Sequence, residues 1–276
     1  MSFWQNRNIN WRSFKYSYLS SYKFLSRKNG VIKIKFSNEV NDIETVAKLT
    51  HEYYISKKSN PENKSPKNEI TQLFIECLAC CQGATKVKDK LIGDPLDVEI
   101  FQSTGWELIE DPKDNDNYNT NIFTYVRLKK EKSLKEKMNI IKDKENYEKE
   151  KKNILEGHYE SGIVKRFDFE SKLQRMSTIA KNLSEENYIS FCKGSPEKIY
   201  ELYQRKTIPD NFNEILTKYT SKGFRVLALS FKLMKISFEQ AKLIPRESVE
   251  KDLIFLRLLI VHNKLKESTK DILKTY

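Results

Sequence analysis

The stretch "YISFCKGSPEKIY", Tyr188 to Tyr200, changes character in its middle. Its first half is apolar, β-branched and aromatic, the composition of a buried strand. Its second half reads as a helix start: Ser195 is a candidate N-cap, Pro196 suits the first helical turn, and Glu197 favours the positive helix end. Lys193 falls where the strand ends, so its ammonium is expected to project from a sheet rim into solvent or a cleft. Gly194 would let the backbone approach a ligand closely. A cation beside a helix N-terminus is a recurring way to meet an anion. The same residues also read as a well-capped strand-to-helix turn and nothing more.

Around this unit lie further runs of strand length separated by short polar turns: "SGIVKRFDFE" (Ser161–Glu170), "QRMSTIAKN" (Gln174–Asn182), "FRVLALSFKL" (Phe224–Leu233) and "LIFLRLLIV" (Leu253–Val261). Helices are expected at Ser195–Gln204 and Asp210–Ser221. The class is therefore α+β, an antiparallel β-sheet flanked by helices. Upstream, "NGVIKIKFS" (Asn29–Ser37) alternates like a strand, and "NDIETVAKLTHEYY" (Asn41–Tyr54) has helical apolar spacing behind an Asn/Asp cap. Ile70–Gln82 reads as a mostly apolar helix. "DPLDVEIFQSTGW" (Asp94–Trp106) reads as another, capped by Asp94 with Pro95 at its first position. "SKKSNPENKSPKNE" (Ser56–Glu69) and "DPKDNDNYN" (Asp111–Asn119) are loops by composition, Lys129–Lys152 is a solvated Lys/Glu tract, and Met1–Arg27 is aromatic and basic without a period.

With 50 Lys and Arg against 38 Asp and Glu, the 276-residue chain carries a formal charge of +12. That favours anionic partners such as nucleotides, nucleic acid or a lipid surface, although much of the charge is interleaved with acids. The Leu253–Val261 run is far short of the roughly 20 residues that span a bilayer and contains Arg257, so it reads as a buried strand. The N-terminal segment has no continuous apolar core or small-residue cleavage site, so cytosolic exposure is expected. Cys77, Cys80 and Cys81 have no second Cys or His pair at zinc-finger distance and read as small apolar residues on a buried helix; Cys192 reads as strand core.

Several separated blocks resemble one family, the P-type ATPases, and within it the nucleotide-binding domain of the type V branch, the polyamine and cation pumps of endolysosomal membranes. Lys193–Glu197 is similar to the family's "KGxPE" element, and "GDPLDVEIFQSTGW" (Gly93–Trp106) to the type V "GDPLD…TGW" block. "RFDFESKLQRMS" (Arg166–Ser177) resembles its phenylalanine-bearing strand pair and "GFRVLALS" (Gly223–Ser230) its arginine strand. "DLIFLRLLIVHNKLKESTK" resembles the return to the phosphorylation domain, with Arg257 where a glycine is usual.

The resemblance implies an ATP site. Phe169, seven positions before Met176, would offer a π face to adenine, with Phe167 as the alternative, expected to alternate to the same face. Lys193 would close one side of the pocket beside base and phosphates, with Gly194 behind it, and Arg225 would contact phosphate with its fork of donors. Asp97, and after it Asp94, would accept from the adenine amino group, although Asp94 also makes a helix N-cap. Magnesium would enter only as the ATP complex, and no resident metal is expected.

Residues 66–236 would be the ATP-binding domain, with a charged insertion at 129–152. Residues 1–65 would stand in place of the start of the phosphorylation domain, and 237–276 would return toward it. The sequence has no "DKTGT", "TGD", "GDGxND" or "TGE" element and no Walker loop. The chain alone is thus expected to lack a nucleophile for phosphoryl transfer. Expected partners are ATP and the remaining domains of such a pump on the cytosolic face of an endomembrane, with no membrane insertion by this chain and no nucleic acid. A stand-alone or degenerate regulatory nucleotide-binding module, or a basic nucleic-acid binder, are the alternative classes.

Overall fold

A computed structural model describes residues 15–28, 31–50, 66–88, 90–110, 122, 124–128, 160–182 and 186–262. The expected loop at Asp111–Asn119, the Lys/Glu tract at Lys129–Lys152, and most of the loop at Ser56–Glu69 lie outside these residues.

The fold is α+β. Among the described residues nine strands form one antiparallel sheet. In chain order they are β1 (Lys15–Lys28), β2 (Val31–Asp42), β5 (Trp106–Glu110), β6 (Thr124–Leu128), β7 (Glu160–Glu170), β8 (Arg175–Asn182), β9 (Tyr188–Gly194), β10 (Arg225–Met234) and β11 (Ile254–His262). Across the sheet the order is β2-β1-β11-β10-β9-β8-β7-β6-β5. A separate small hairpin pairs β3 (Thr85–Val87) with β4 (Lys90–Ile92).

The helices are α1 (residues 43–50), α2 (Pro66–Cys80), α3 (Pro95–Ser103), α4 (Pro196–Tyr200), α5 (Phe212–Thr220), α6 (Phe238–Leu243) and α7 (Arg246–Val249). Strand alternation sends side chains to both faces, and helices cover both. On one face α1, α2 and α3 pack Val46, Phe74, Leu78 and Phe101 against Met176, Phe191 and Leu229. On the other, α4 and α5 contribute Ile199, Phe212 and Ile215 to a cluster with Ala228, Phe255 and Leu258. A third cluster joins Ile179, Tyr188 and Met234 to Ala241 and Val249, beneath α6 and α7.

The unassigned N-terminal segment resolves in part: Lys15–Lys28 is a strand that pairs with β11 on one side and β2 on the other. The helix expected over Asp94–Trp106 stops at Ser103. Trp106 instead opens β5 and lies fully buried, because an aromatic after the helix can seal the core from the sheet. The expected helices at Ser195–Gln204 and Asp210–Ser221 are shorter, at Pro196–Tyr200 and Phe212–Thr220. Cys77, Cys80, Cys81 and Cys192 are all buried and free. Burial pushes the Cys81 thiol up to about 12.

Arg257, in the middle of β11, is buried where its neighbours are apolar. Its Nη2 donates to Thr71 Oγ1 at 3.0 Å, and its guanidinium lies 5.3 Å from the Phe74 ring. The helix α2 thereby supplies both a polar partner and a π face for a charge inside the sheet.

Candidate functional site

At one rim of the sheet the ends of β7, β9 and β10 meet around a cleft of about 230 Å³. Phe169, Gln174, Gly194, Glu197, Thr220 and Arg225 stand among its lining residues. The cleft therefore brings together Phe169, Gly194 and Arg225, drawn from three sequence blocks up to 56 positions apart in number. Lys193, Asp97, Asp94 and Phe167 lie outside its lining.

Phe169 is placed by an irregularity in the β7–β8 hairpin. After an earlier shift between Ile163 and Lys165, pairing is in register from Lys165↔Ile179 to Phe167↔Ser177 and resumes at Glu170↔Arg175, with a second shift between. A bulge of this kind re-aims side chains that strict alternation would put on one face. Phe167, expected to alternate to the same face as Phe169 and to serve as the alternative stacker, does not line the cleft. Phe167 packs on the α6 and α7 side with Lys165 Nζ 5.0 Å from its ring centroid, whereas Phe169 is 57% exposed at the cleft.

Gly194 is required by the fold itself. A side chain there would bring a Cβ within 2.6 Å of Arg175 Cβ, because β8 crosses close to the rim. The Ser195 N–H donates to the Gln174 carbonyl at 2.9 Å and ties the start of α4 to the hairpin turn. Ser195 makes no side-chain capping bond to the helix; its hydroxyl donates to Glu197 Oε2 at 2.6 Å instead. Arg225, exposed at the start of β10, also lines the cleft.

The structure turns Lys193 inward, against the expected projection from the sheet rim into solvent or a cleft. It is only 4% exposed and lies on the α2 and α3 side of β9, with Nζ 2.6 Å from Asp97 Oδ1. Asp97 Oδ2 also accepts the Gly83 N–H at 3.0 Å. Burial alone would push the Lys193 ammonium down, but the Asp97 charge, its hydrogen bond and the nearby Cys81 hold it above its usual range. Gly93 serves the same junction: a Cβ there would lie 2.9 Å from Ala84 Cα, so only glycine lets the start of the Asp94–Trp106 block lie against the Gly83–Ala84 backbone. Asp94 is the N-cap of α3, accepting from the Leu96 and Asp97 N–H groups at 2.9 and 3.4 Å.

A second polar cluster, unseen in the sequence, stands behind the hairpin. Glu250 is 3% exposed and accepts from Arg175 Nε at 2.6 Å, Arg246 Nε at 2.8 Å and Ser177 Oγ at 2.7 Å. The i,i+4 spacing of Arg246 and Glu250 is readable in the sequence, but its reach to β8 is not. Among the described residues no group of His, Cys, Asp and Glu is arranged to hold a metal ion, and no helix is long and apolar enough to cross a membrane.

Comparison with known proteins converges on one family. Residues 132–268 match the family described as P-type ATPase, cytoplasmic domain N. The chain is 35% identical over 208 residues to the mouse "Polyamine-transporting ATPase 13A3", which covers 74% of this chain and 17% of that protein. It is 34% identical over 257 residues to the Saccharomyces cerevisiae "Vacuolar cation-transporting ATPase YPK9", covering 91% of this chain and 17% of the relative. It is 31% identical over 274 residues to the Plasmodium falciparum "Probable cation-transporting ATPase 1", with 80% of this chain and 14% of the relative covered. The chain thus spans less than a fifth of the length of each of these relatives, at 17%, 17% and 14%.

Proposed function

Because the chain belongs to the P-type ATPase family of cytoplasmic N domains, in its type V branch, we propose that it binds ATP in the cleft between Phe169 and Arg225. The observation that carries this reading is the exposed Phe169 at a small cleft that Arg225 also lines. Adenine stacks on the ring and the phosphates run outward toward Arg225. The cleft, at about 230 Å³, is smaller than the roughly 300 to 1,000 Å³ of pockets that enclose a whole ligand. It therefore takes the base and leaves the triphosphate at the mouth, where its magnesium stays on the phosphate oxygens.

Within a complete pump such a domain would carry ATP to a phosphorylatable aspartate supplied outside these residues, on the cytosolic side of an endomembrane. The cargo would be a cation or polyamine, the class that the relatives' names give. Lys193 and Asp97 act in this reading as the internal brace of the site: their ion pair ties β9 to α3 and so fixes the strand end from which Gly194 meets the cleft.

One stacked ring contributes roughly 1 to 3 kcal/mol, and an exposed charge contact about 0 to 1 kcal/mol. At their upper end these sum to about 4 kcal/mol, a dissociation constant on the order of 1 mM. The test is titration of the 276-residue chain with ATP, AMP and GTP, alongside Phe169→Ala and Arg225→Ala. Phe169→Ala should weaken ATP and AMP alike. Arg225→Ala should weaken ATP more than AMP, because only ATP carries phosphates far enough to meet it. Equal ATP affinity in Phe169→Ala and the parent chain would sink the proposal.

A further inference from the structure

We propose that Arg246 is a positioning residue for nucleotide binding, holding the Phe169 ring in its stacking orientation from behind; the inference rests on the ATP reading above. Phe169 sits in the β7 bulge. An irregular stretch lacks part of the ladder of backbone hydrogen bonds that would otherwise fix its side-chain directions. Something else must set the orientation of Phe169. Arg246 lies in α7, well away in sequence, and its guanidinium brackets the ring on both sides along the chain. Nη1 donates to the Asp168 carbonyl at 3.2 Å and reaches Glu170 Oε2 at 3.4 Å. Nη2 donates to the Arg175 carbonyl at 2.8 Å on the paired strand, and Nε donates to the buried Glu250 at 2.8 Å.

The residues immediately before and after Phe169, and the strand opposite, are therefore held by one planar fork. Glu250 anchors that fork from below and also grips Arg175 and Ser177 of β8. A guanidinium suits this task because its donors are rigidly spaced, whereas an ammonium in the same place is a point charge that cannot hold several acceptors in one plane. Arg246 itself does not line the cleft, so any effect it has on binding is indirect, and the coupling to Phe169 is what the experiment isolates. A ring free to rotate away from the cleft must be ordered when the base arrives, and that ordering subtracts from affinity.

The experiment is a double-mutant cycle on the 276-residue chain, with ATP as the probe and affinity read by NMR titration. Its four species are the parent, Arg246→Lys, Phe169→Ala and the double variant, each checked for folding by its dispersed spectrum and melting temperature. Arg246→Lys is expected to weaken ATP about three- to tenfold, part of the full stacking contribution. In the Phe169→Ala background the same change should cost less than about twofold, since the ring it positions is gone. A purely structural role would lower the melting temperature equally in both backgrounds and show no such coupling in affinity. If Arg246→Lys does not fold, Arg246→Gln takes its place in the cycle. An unchanged ATP affinity in the folded Arg246 variant, or an equal penalty in both backgrounds, overturns the proposal while leaving the nucleotide reading intact. If Phe169→Ala itself binds ATP as the parent does, the nucleotide reading fails and this inference falls with it.

Discussion

Breaking the Lys193–Asp97 pair is the perturbation whose size the structure fixes best. Lys193 is 4% exposed and Asp97 14%, with 2.6 Å between the charged atoms. Asp97→Asn keeps an acceptor for the Gly83 N–H but leaves a buried ammonium facing a neutral amide. Removing one partner of a buried ion pair costs about 3 to 5 kcal/mol. The lower end applies because Asp97 retains some solvent. For a domain of this size each kcal/mol moves the melting temperature by roughly 2 to 4 °C, so Asp97→Asn should melt roughly 6 to 12 °C lower.

Adding Lys193→Met to Asp97→Asn removes the orphaned charge and should bring stability back to within about 1 kcal/mol of the parent, as volume-matched apolar replacements of buried pairs do. The sign with pH follows from the same contact. Lys193 is held above its usual 10.5 in the folded chain, so its contribution is complete below pH 10.5 and is lost as pH rises through the higher folded value. Urea titrations followed by circular dichroism, at neutral pH and above pH 10.5, measure all of this. A folded Asp97→Asn variant within about 0.5 kcal/mol of the parent, or a double variant no better than the single, would refute the reasoning.

Glu160, buried beside Glu107, has its carboxyl pushed up from 4.5 to about 7, first by desolvation and then by that neighbouring charge. Its contribution is thus complete below pH 4.5 and lost as pH rises through about 7. Glu160→Gln should flatten the stability–pH profile across that window, and an unaltered profile would contradict it. Gly194→Ala should destabilise by about 1 to 3 kcal/mol through overpacking against Arg175, read by thermal melting. All four cysteines should resist a thiol reagent in the folded chain and react together in denaturant, since each is buried; rapid native labelling of any of them would speak against the packing of α2 and β9.

Much of the sheet was legible because its strands are long, β-branched and bounded by turns: Gln174–Asn182 and Phe224–Leu233 fall within a residue or so of β8 and β10. The short β3–β4 hairpin escaped because "TKVKDKLI" is too polar to show a buried face. The helices α6 and α7 escaped because they are only six and four residues long, and the caps that define α6 are visible only once Ser237 and Gln240 are seen to bond each other. In the site, the identities at Phe169, Gly194 and Arg225 could be read from motifs, and the structure gathers them at one cleft. The direction of Lys193 could not. Position at a strand end suggests a projecting side chain, but period-two alternation sent this one inward, and the partner that makes burial tolerable stands 96 residues earlier in the chain. The register shift between Phe167 and Glu170 likewise leaves no mark on the local sequence, and neither does the reach of Arg246 across 78 positions to Asp168.

The central claim is that nucleotide binds at the rim cleft between Phe169 and Arg225, and backbone amide shift mapping of the isotope-labelled chain during ATP titration tests it most directly. With ATP raised to several times the dissociation constant of about 1 mM, the largest shifts are predicted at Phe169, Gly194, Glu197, Thr220 and Arg225, the residues that line the cleft. Gly83 and Asp97, behind the sheet at the Lys193 ion pair, should move far less. Shifts centred on Gly83, Asp97 and Lys193 instead, or none at the cleft residues of a folded sample, would contradict the account.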